Sequence, residues 1–319
     1  MSPDELRLLV KVARMYHEQG IRQPQIAVQL AVSQPRVSRL LRQAVDLGIV
    51  RTVVQMPEGV HADLEEELQR RFGLRDAVVV DTTGAGEDIL PALGAATASY
   101  LDVTLTGGNV IGVASWSETL LGGVQRMPVK KIAGARRVVQ LLGGVGRPAV
   151  QVEATRLTQE LASRTGAEPL YLSAPGLVDT PAVRRAVMSD RSVSEVVEGW
   201  GELTDAIVGI GSIEPSPLLA RSGNAISAKD QEELRRLGAV GDVCFRFFDA
   251  DGRHVRSDLD QRVIGIAPEQ LRGVPRRVGV AGGRRKYAAV RAAVLGGWVN
   301  VLITDLETAT RLTEGDSSS

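Results

Sequence analysis

Four short stretches hold the side chains best suited to chemistry. In SQPRVSRLLRQ, residues 33–43, Arg36, Arg39 and Gln43 recur at helical spacing on one side, while Val37, Leu40, Leu41 and Ala44 recur on the other. Arginine donates two parallel bonds to guanine, and glutamine pairs similarly with adenine, so such a helix entering a major groove would read bases. Gln34, Arg36 and Arg39 are the expected readers. Ser33, Ser38, Arg22, Arg42 and Gln43 fall where they would hold phosphates or the groove edge, which fixes register without reading sequence. Periodicity alone leaves open a merely solvated helix face.

The other three stretches suit a small phosphorylated or hydroxylated ligand. ASWS, residues 114–117, follows Gly112 and supplies two hydroxyls, Ser115 and Ser117, flanking Trp116, with backbone N–H groups at a helix start that would hold a phosphate. AGGRRK, residues 281–286, offers the flexible pair Gly282 and Gly283 and then Lys286, placed to meet a phosphate or sugar oxygen. In VGDVCFRFFDADG, residues 240–252, Asp242 is expected at a strand start and could accept bonds from two sugar hydroxyls, whereas Asp249 and Asp251 read as turn residues before Gly252. Each feature also has a plain structural reading: a tight turn, a solvated lysine, a capped loop. No GxGxxG, GxxxxGK[ST] or GxSxG pattern is present, and His17, His61 and His254 are scattered without a metal-ligand pairing. No cofactor, metal or catalytic residue is therefore expected.

Two scaffolds must position these groups. Asp4-Glu5 ahead of Leu6, Leu8, Leu9, Val12, Ala13 and Tyr16 predicts an amphipathic helix ending at Gly20. A short helix follows from Pro24 with Ile26, Ala27 and Leu30 on its apolar side, then the turn Ala31-Val32-Ser33, with Ala31 where such turns often carry glycine. Ser33 is expected to cap the third helix, and IVRTVVQM, residues 49–56, alternates like a strand. That order is a winged helix-turn-helix spanning residues 1–56. These residues contain eight basic and four acidic side chains in a chain whose net charge is zero, as a phosphate-binding head requires.

From residue 57 onward, ADLEEELQRRFGL predicts a connecting helix, after which apolar runs alternate with helical ones: 77–80, 109–114, 137–142, 206–211, 277–282 and 299–304. This predicts a Rossmann-like α/β domain over 57–319 with a mainly parallel sheet, whose ligand site lies at the strands' carboxyl ends. The 44% hydrophobic and 3% aromatic content agrees with such a core. A single cysteine, Cys244, an acidic start and apolar runs too short to span a bilayer point to a cytoplasmic protein without a membrane segment.

The chain resembles the SorC family of bacterial transcriptional regulators, whose effector domain is similar to sugar-phosphate isomerases of the ribose-5-phosphate isomerase type. The resemblance rests on QPQIAVQLAVSQPRVSRLLRQAVDLGIV (24–50), SAPGLVD (173–179), IVGIGS (207–212), GAVGDVCFRFFDADG (238–252), RVIGIAPEQLRGVPRRVGVAGGRRK (262–286) and VNVLITD (299–305). It implies a head that binds a pseudo-palindromic DNA operator, a body that binds a phosphorylated sugar, and a homodimer or homotetramer. By position it assigns the phosphate loop to 114–117, the phosphate-side lysine to Lys286, the hydroxyl-binding acid to Asp242, and a further ligand position to Glu153. Glu118, directly after the loop, would repel a phosphate. The alternative is a sugar-phosphate isomerase with a fused DNA-binding head, for which Asp242 and Glu153 are the candidate bases.

Overall fold

The computed structural model describes residues 2–51, 57, 59–82, 89–129, 134–146, 151–214, 219–220 and 226–315, with the backbone alone for 151–154. The chain divides into two compact units, residues 1–57 and 58–319.

In the first unit, α1 (Pro3–His17) begins with a capping box: Ser2 Oγ accepts from Glu5 N–H, and the Glu5 carboxylate accepts from Ser2 N–H. Helices α2 (Gln23–Gln29) and α3 (Gln34–Asp46) complete a small core of Leu9, Val12, Ala13, Met15, Ile26, Ala27, Val37, Leu40, Leu41 and Ala44. The apolar side expected of α3 is thus its buried side. On α1 the expected face is rotated: Met15 is buried, whereas Leu6 and Tyr16 are exposed. Ala31 takes a left-handed backbone, φ 51°, so the turn keeps the geometry usually given to glycine without having one. Most of the strand expected over 49–56 lies outside the described residues.

The second unit is a three-layer α/β body. Its sheet has seven strands, all parallel, in the order β1 (Asp76–Val80), β10 (Val301–Asp305), β9 (Arg276–Val280), β5 (Asp205–Gly209), β2 (Asn109–Val113), β3 (Ala135–Gln140), β4 (Glu168–Leu170). Successive residues point to opposite faces: Val110, Val139, Ala206 and Leu302 join one core, and Ile111, Val138, Ile207 and Ile303 the other. Both faces being covered explains why these strands read as continuous apolar runs. Helix α4 (Ala62–Phe72), expected as a connector, is part of this body: Leu68 is fully buried in its core, and Glu65 Oε1 accepts from Val79 N–H at 2.9 Å.

A second sheet is antiparallel and was not foreseen. It pairs β6 (Gly211–Ser212), β7 (Ala239–Val243) and β8 (Arg246–Asp249). The β7–β8 turn is Cys244-Phe245, with φ of 54° and 60°. This is the backbone of a type I′ hairpin, built from two buried side chains in place of the usual Asn-Gly.

Candidate functional site

On α3, Gln34, Arg36, Arg39, Arg42 and Gln43 are exposed, Ser38 is half-buried, and Arg22 is exposed just before α2. Ser33 occupies the N-cap position with extended backbone, but contrary to expectation its hydroxyl makes no capping bond. The first N–H groups of α3 are therefore not capped by Ser33, and the positive helix end lies beside the two exposed arginines.

In the body, β2 leads to β3 on one side and β5 leads toward β9 on the other, so the chain's direction across the sheet reverses between β2 and β5. Such a switch point opens a crevice at the carboxyl ends of both strands. Three of the expected side chains meet at the end of β5. A Cβ on Gly209 would lie 3.3 Å from Ser117 Oγ, which itself caps α6 (Glu118–Arg126) by accepting from Leu120 N–H. Lys286 Nζ donates to the Ile210 carbonyl at 3.0 Å. Gly211 pairs with Asp242, and a Cβ on Gly211 would overlap the Asp242 carboxylate, so only glycine lets that carboxylate lie across the strand.

Asp242 is the penultimate residue of β7, not its start, and is half-buried. Burial pushes its carboxyl up to about 6, against the opposing pull of the hydrogen bond from Phe245 N–H, 2.9 Å, and of the Lys286 charge. Burial likewise lowers the Lys286 ammonium below its ordinary value, with Asp242 acting to raise it. Two opposite, poorly hydrated groups thus lie together at the end of β5, an arrangement that favours a ligand carrying both acceptors and hydroxyl donors.

The remaining expected residues fall into three groups. Gly283, φ 86°, donates its N–H to Asp305 Oδ2 at 2.8 Å and to Thr308 Oγ1 at 3.0 Å, and a Cβ on Gly282 would overlap the same carboxylate. Asp305, buried at the end of β10, also caps α13 (Leu306–Glu314) by accepting from Thr308 N–H. It therefore fixes the glycine loop that precedes Lys286. Asp305 is not among the residues expected at the site, although an acid between an apolar strand and a helix start is a cap signal.

Gly112 and Ser115 serve packing. Leu141 fills the space over Gly112, where a Cβ would lie 2.5 Å from its side chain. The Ser115 hydroxyl, expected for a phosphate, is buried; it donates to the Leu142 carbonyl at 2.8 Å and accepts from Gln140 Nε2 at 2.7 Å, tying β2 to β3. Trp116 is half-buried, and its Nε1–H has no acceptor among the described residues. Glu118 is exposed. Glu153 lies in the first turn of α7 (Gln151–Thr165), and its side chain is outside the described residues. Among the described residues no cluster of three or more His, Cys, Asp or Glu could hold a metal, and no helix is long and apolar enough to cross a membrane.

A helical head with an arginine-bearing third helix, followed in the chain by a parallel α/β body, is the architecture of a transcriptional regulator. Residues 59–314 match the family described as "Putative sugar-binding domain". The chain is 31% identical to the sorbitol operon regulator of Klebsiella pneumoniae over 97% of its own length and 98% of that protein's, and 34% identical to the deoxyribonucleoside regulator of Bacillus subtilis over 98% and 99%. The crystal structure of the full-length Klebsiella sorbitol operon regulator SorC superposes with a TM-score of 0.73 at 30% identity, covering 98% of this chain and all of that one. The chain belongs to the SorC family of transcriptional regulators.

Proposed function

We propose that this regulator binds a pseudo-palindromic operator through Gln34, Arg36 and Arg39, with Arg22, Ser33, Ser38, Arg42 and Gln43 on phosphates, and that a phosphorylated sugar at the sheet's carboxyl edge controls that binding. The observation that carries the effector half is the meeting of Ser117, Asp242 and Lys286 around Gly209–Gly211. Lys286, with one donor spent on Ile210, has two left for a phosphate or sugar oxygen, and Asp242 accepts from sugar hydroxyls. The names of the sorbitol and deoxyribonucleoside regulators point the same way, toward polyhydroxylated ligands.

A homodimer or homotetramer supplies the paired heads that a two-fold operator needs. The effector acts only through its different affinity for the DNA-competent and DNA-incompetent states, a coupling of about 1–3 kcal/mol in typical cases. Operator binding by the purified chain, measured against a panel of phosphorylated and free sugars, tests the reading. A saturable change in operator affinity with a phosphorylated member, absent with its free sugar, is expected. No response to any phosphorylated sugar overturns the effector half and leaves the DNA-binding half standing.

One observation favours the isomerase alternative: a carboxyl at about 6 beside a lysine can exchange protons near neutral pH. Incubation with ribose 5-phosphate decides it, ketose formation being the outcome that replaces the regulatory reading of this site.

A further inference from the structure

We propose that the body carries a second anion-binding site, for a compact phosphate-bearing metabolite, in a cavity between α8 (Pro181–Met188), β8 and the segment 254–269. It shares no lining residue with the carboxyl-edge crevice. The cavity measures about 310 Å³ and is lined by Arg184, Arg246, His254, Arg256, Asp260 and Glu269, among others.

Its floor is rigid. Arg246 is buried and held by Nε–H to the Ile266 carbonyl at 2.9 Å, by a terminal nitrogen to the Gly265 carbonyl at 3.0 Å, and by the other to Asp260 Oδ1 at 2.7 Å. His254 Nε2 lies 3.2 Å from the same Asp260 oxygen. Asp260 is thus already engaged by two partners, and against the effect of burial the hydrogen bonds from both hold its carboxyl below the ordinary range.

Arg184 and Arg256 are in a different position. Arg184, half-buried, spends Nε–H on the Val263 carbonyl at 2.8 Å, and neither it nor the exposed Arg256 pairs with a carboxylate among the described residues. Burial, and then the Arg246 charge, lower the Arg184 guanidinium below its ordinary value, so the cavity holds positive charge at a cost. A bound dianion removes that cost, and the guanidinium fork matches phosphate oxygens in pairs. Glu269, exposed, opposes an anion with one negative charge, which leaves the three arginines against two acids. The volume, at the lower end of small-molecule pockets (roughly 300–1,000 Å³), suits a ligand of a few carbons, not a nucleotide.

The test uses the full chain carrying Lys286→Met, so that the carboxyl-edge site cannot contribute and failure of the effector reading leaves this result untouched. Inorganic phosphate is titrated at constant ionic strength, with chloride as the control, and followed by thermal shift and calorimetry. Saturable binding with phosphate alone is expected, and it weakens at least tenfold on adding Arg184→Gln and Arg256→Gln. Circular dichroism and the thermal unfolding midpoint of each chain without phosphate verify folding, and Arg256→Gln alone, an exposed change, gives an intermediate loss of phosphate affinity if the fold of the double variant is disturbed. Equal phosphate affinity in the arginine variants, or stabilisation that never saturates, overturns the proposal. So does a change of oligomeric state in those variants without any phosphate dependence, which would make the cavity a contact for a second copy's carboxylate.

Discussion

The head and the carboxyl edge of the body, the two sites proposed for phosphate-bearing partners, hold their charge in opposite ways. Arg36 and Arg39 stand in water on α3, with no carboxylate paired to either among the described residues. Lys286 and Asp242 are half-buried, and partial withdrawal from water has shifted both. A surface that meets a polyelectrolyte gains its affinity from many exposed cations that displace counterions, each contributing modestly and all sensitive to salt. A site that must tell one small molecule from its analogues gains from a few poorly hydrated groups, where an unmatched partner is costly. The contrast predicts that single substitutions cost more in the body than in the head.

The strongest test of that contrast is Lys286→Met. It should weaken the effector by about 100-fold or more, since a buried charged partner is worth about 2–5 kcal/mol, while operator affinity without effector stays within a factor of two. An equal loss of operator binding would dissolve the distinction. In the head, Arg36→Ala should cost about 1–3 kcal/mol on the operator and relax preference at one base, measured by competition against substituted operators. Arg42→Ala should instead weaken specific and random DNA alike and lower the salt slope by about 1.

A pH series sharpens the body's side of the comparison. The folded value for Asp242, about 6, lies above its unfolded value near 4, so between those limits the folded chain holds a proton that the unfolded chain has released. Stability from this group is greatest below the window and is lost as pH rises through about 6. Asp242→Asn removes the dependence: the variant's stability relative to the parent should rise by on the order of 2 kcal/mol between pH 4 and 7 in denaturant titrations. The smallest effect belongs to the head. Ala31→Gly relieves a left-handed alanine and should stabilise that unit by about 1 kcal/mol, seen as a higher midpoint with no change in operator preference.

Legibility in the sequence followed the same division. The buried and exposed sides of α3 depend on neighbours three and four residues apart, and Val37, Leu40, Leu41 and Ala44 announce them directly. Six strands of the large sheet were legible because burial on both faces makes them apolar throughout. The antiparallel sheet was not, because its hairpin turns at Cys244-Phe245, two residues that carry no turn signal and are held at positive φ by the packing around them. Loop patterns are less explicit: Ser115 and Gly112 stand in a phosphate-loop pattern, and only the positions of Gln140, Leu141 and Leu142 show what fills their surroundings. Asp305 acts on Gly283 from 22 positions away, a relation no local pattern contains.

The burial of Cys244 has a practical side. It is the chain's one cysteine, and its thiol, buried in the hairpin turn with Asp242 close by, is pushed up to about 12. Thiol reagents act on the thiolate, so near neutral pH the native chain is a silent background for labelling. A cysteine introduced at an exposed position without a proposed role, such as Val28, would be the sole reactive thiol, and a dye attached there would report operator binding without Cys244 having to be removed.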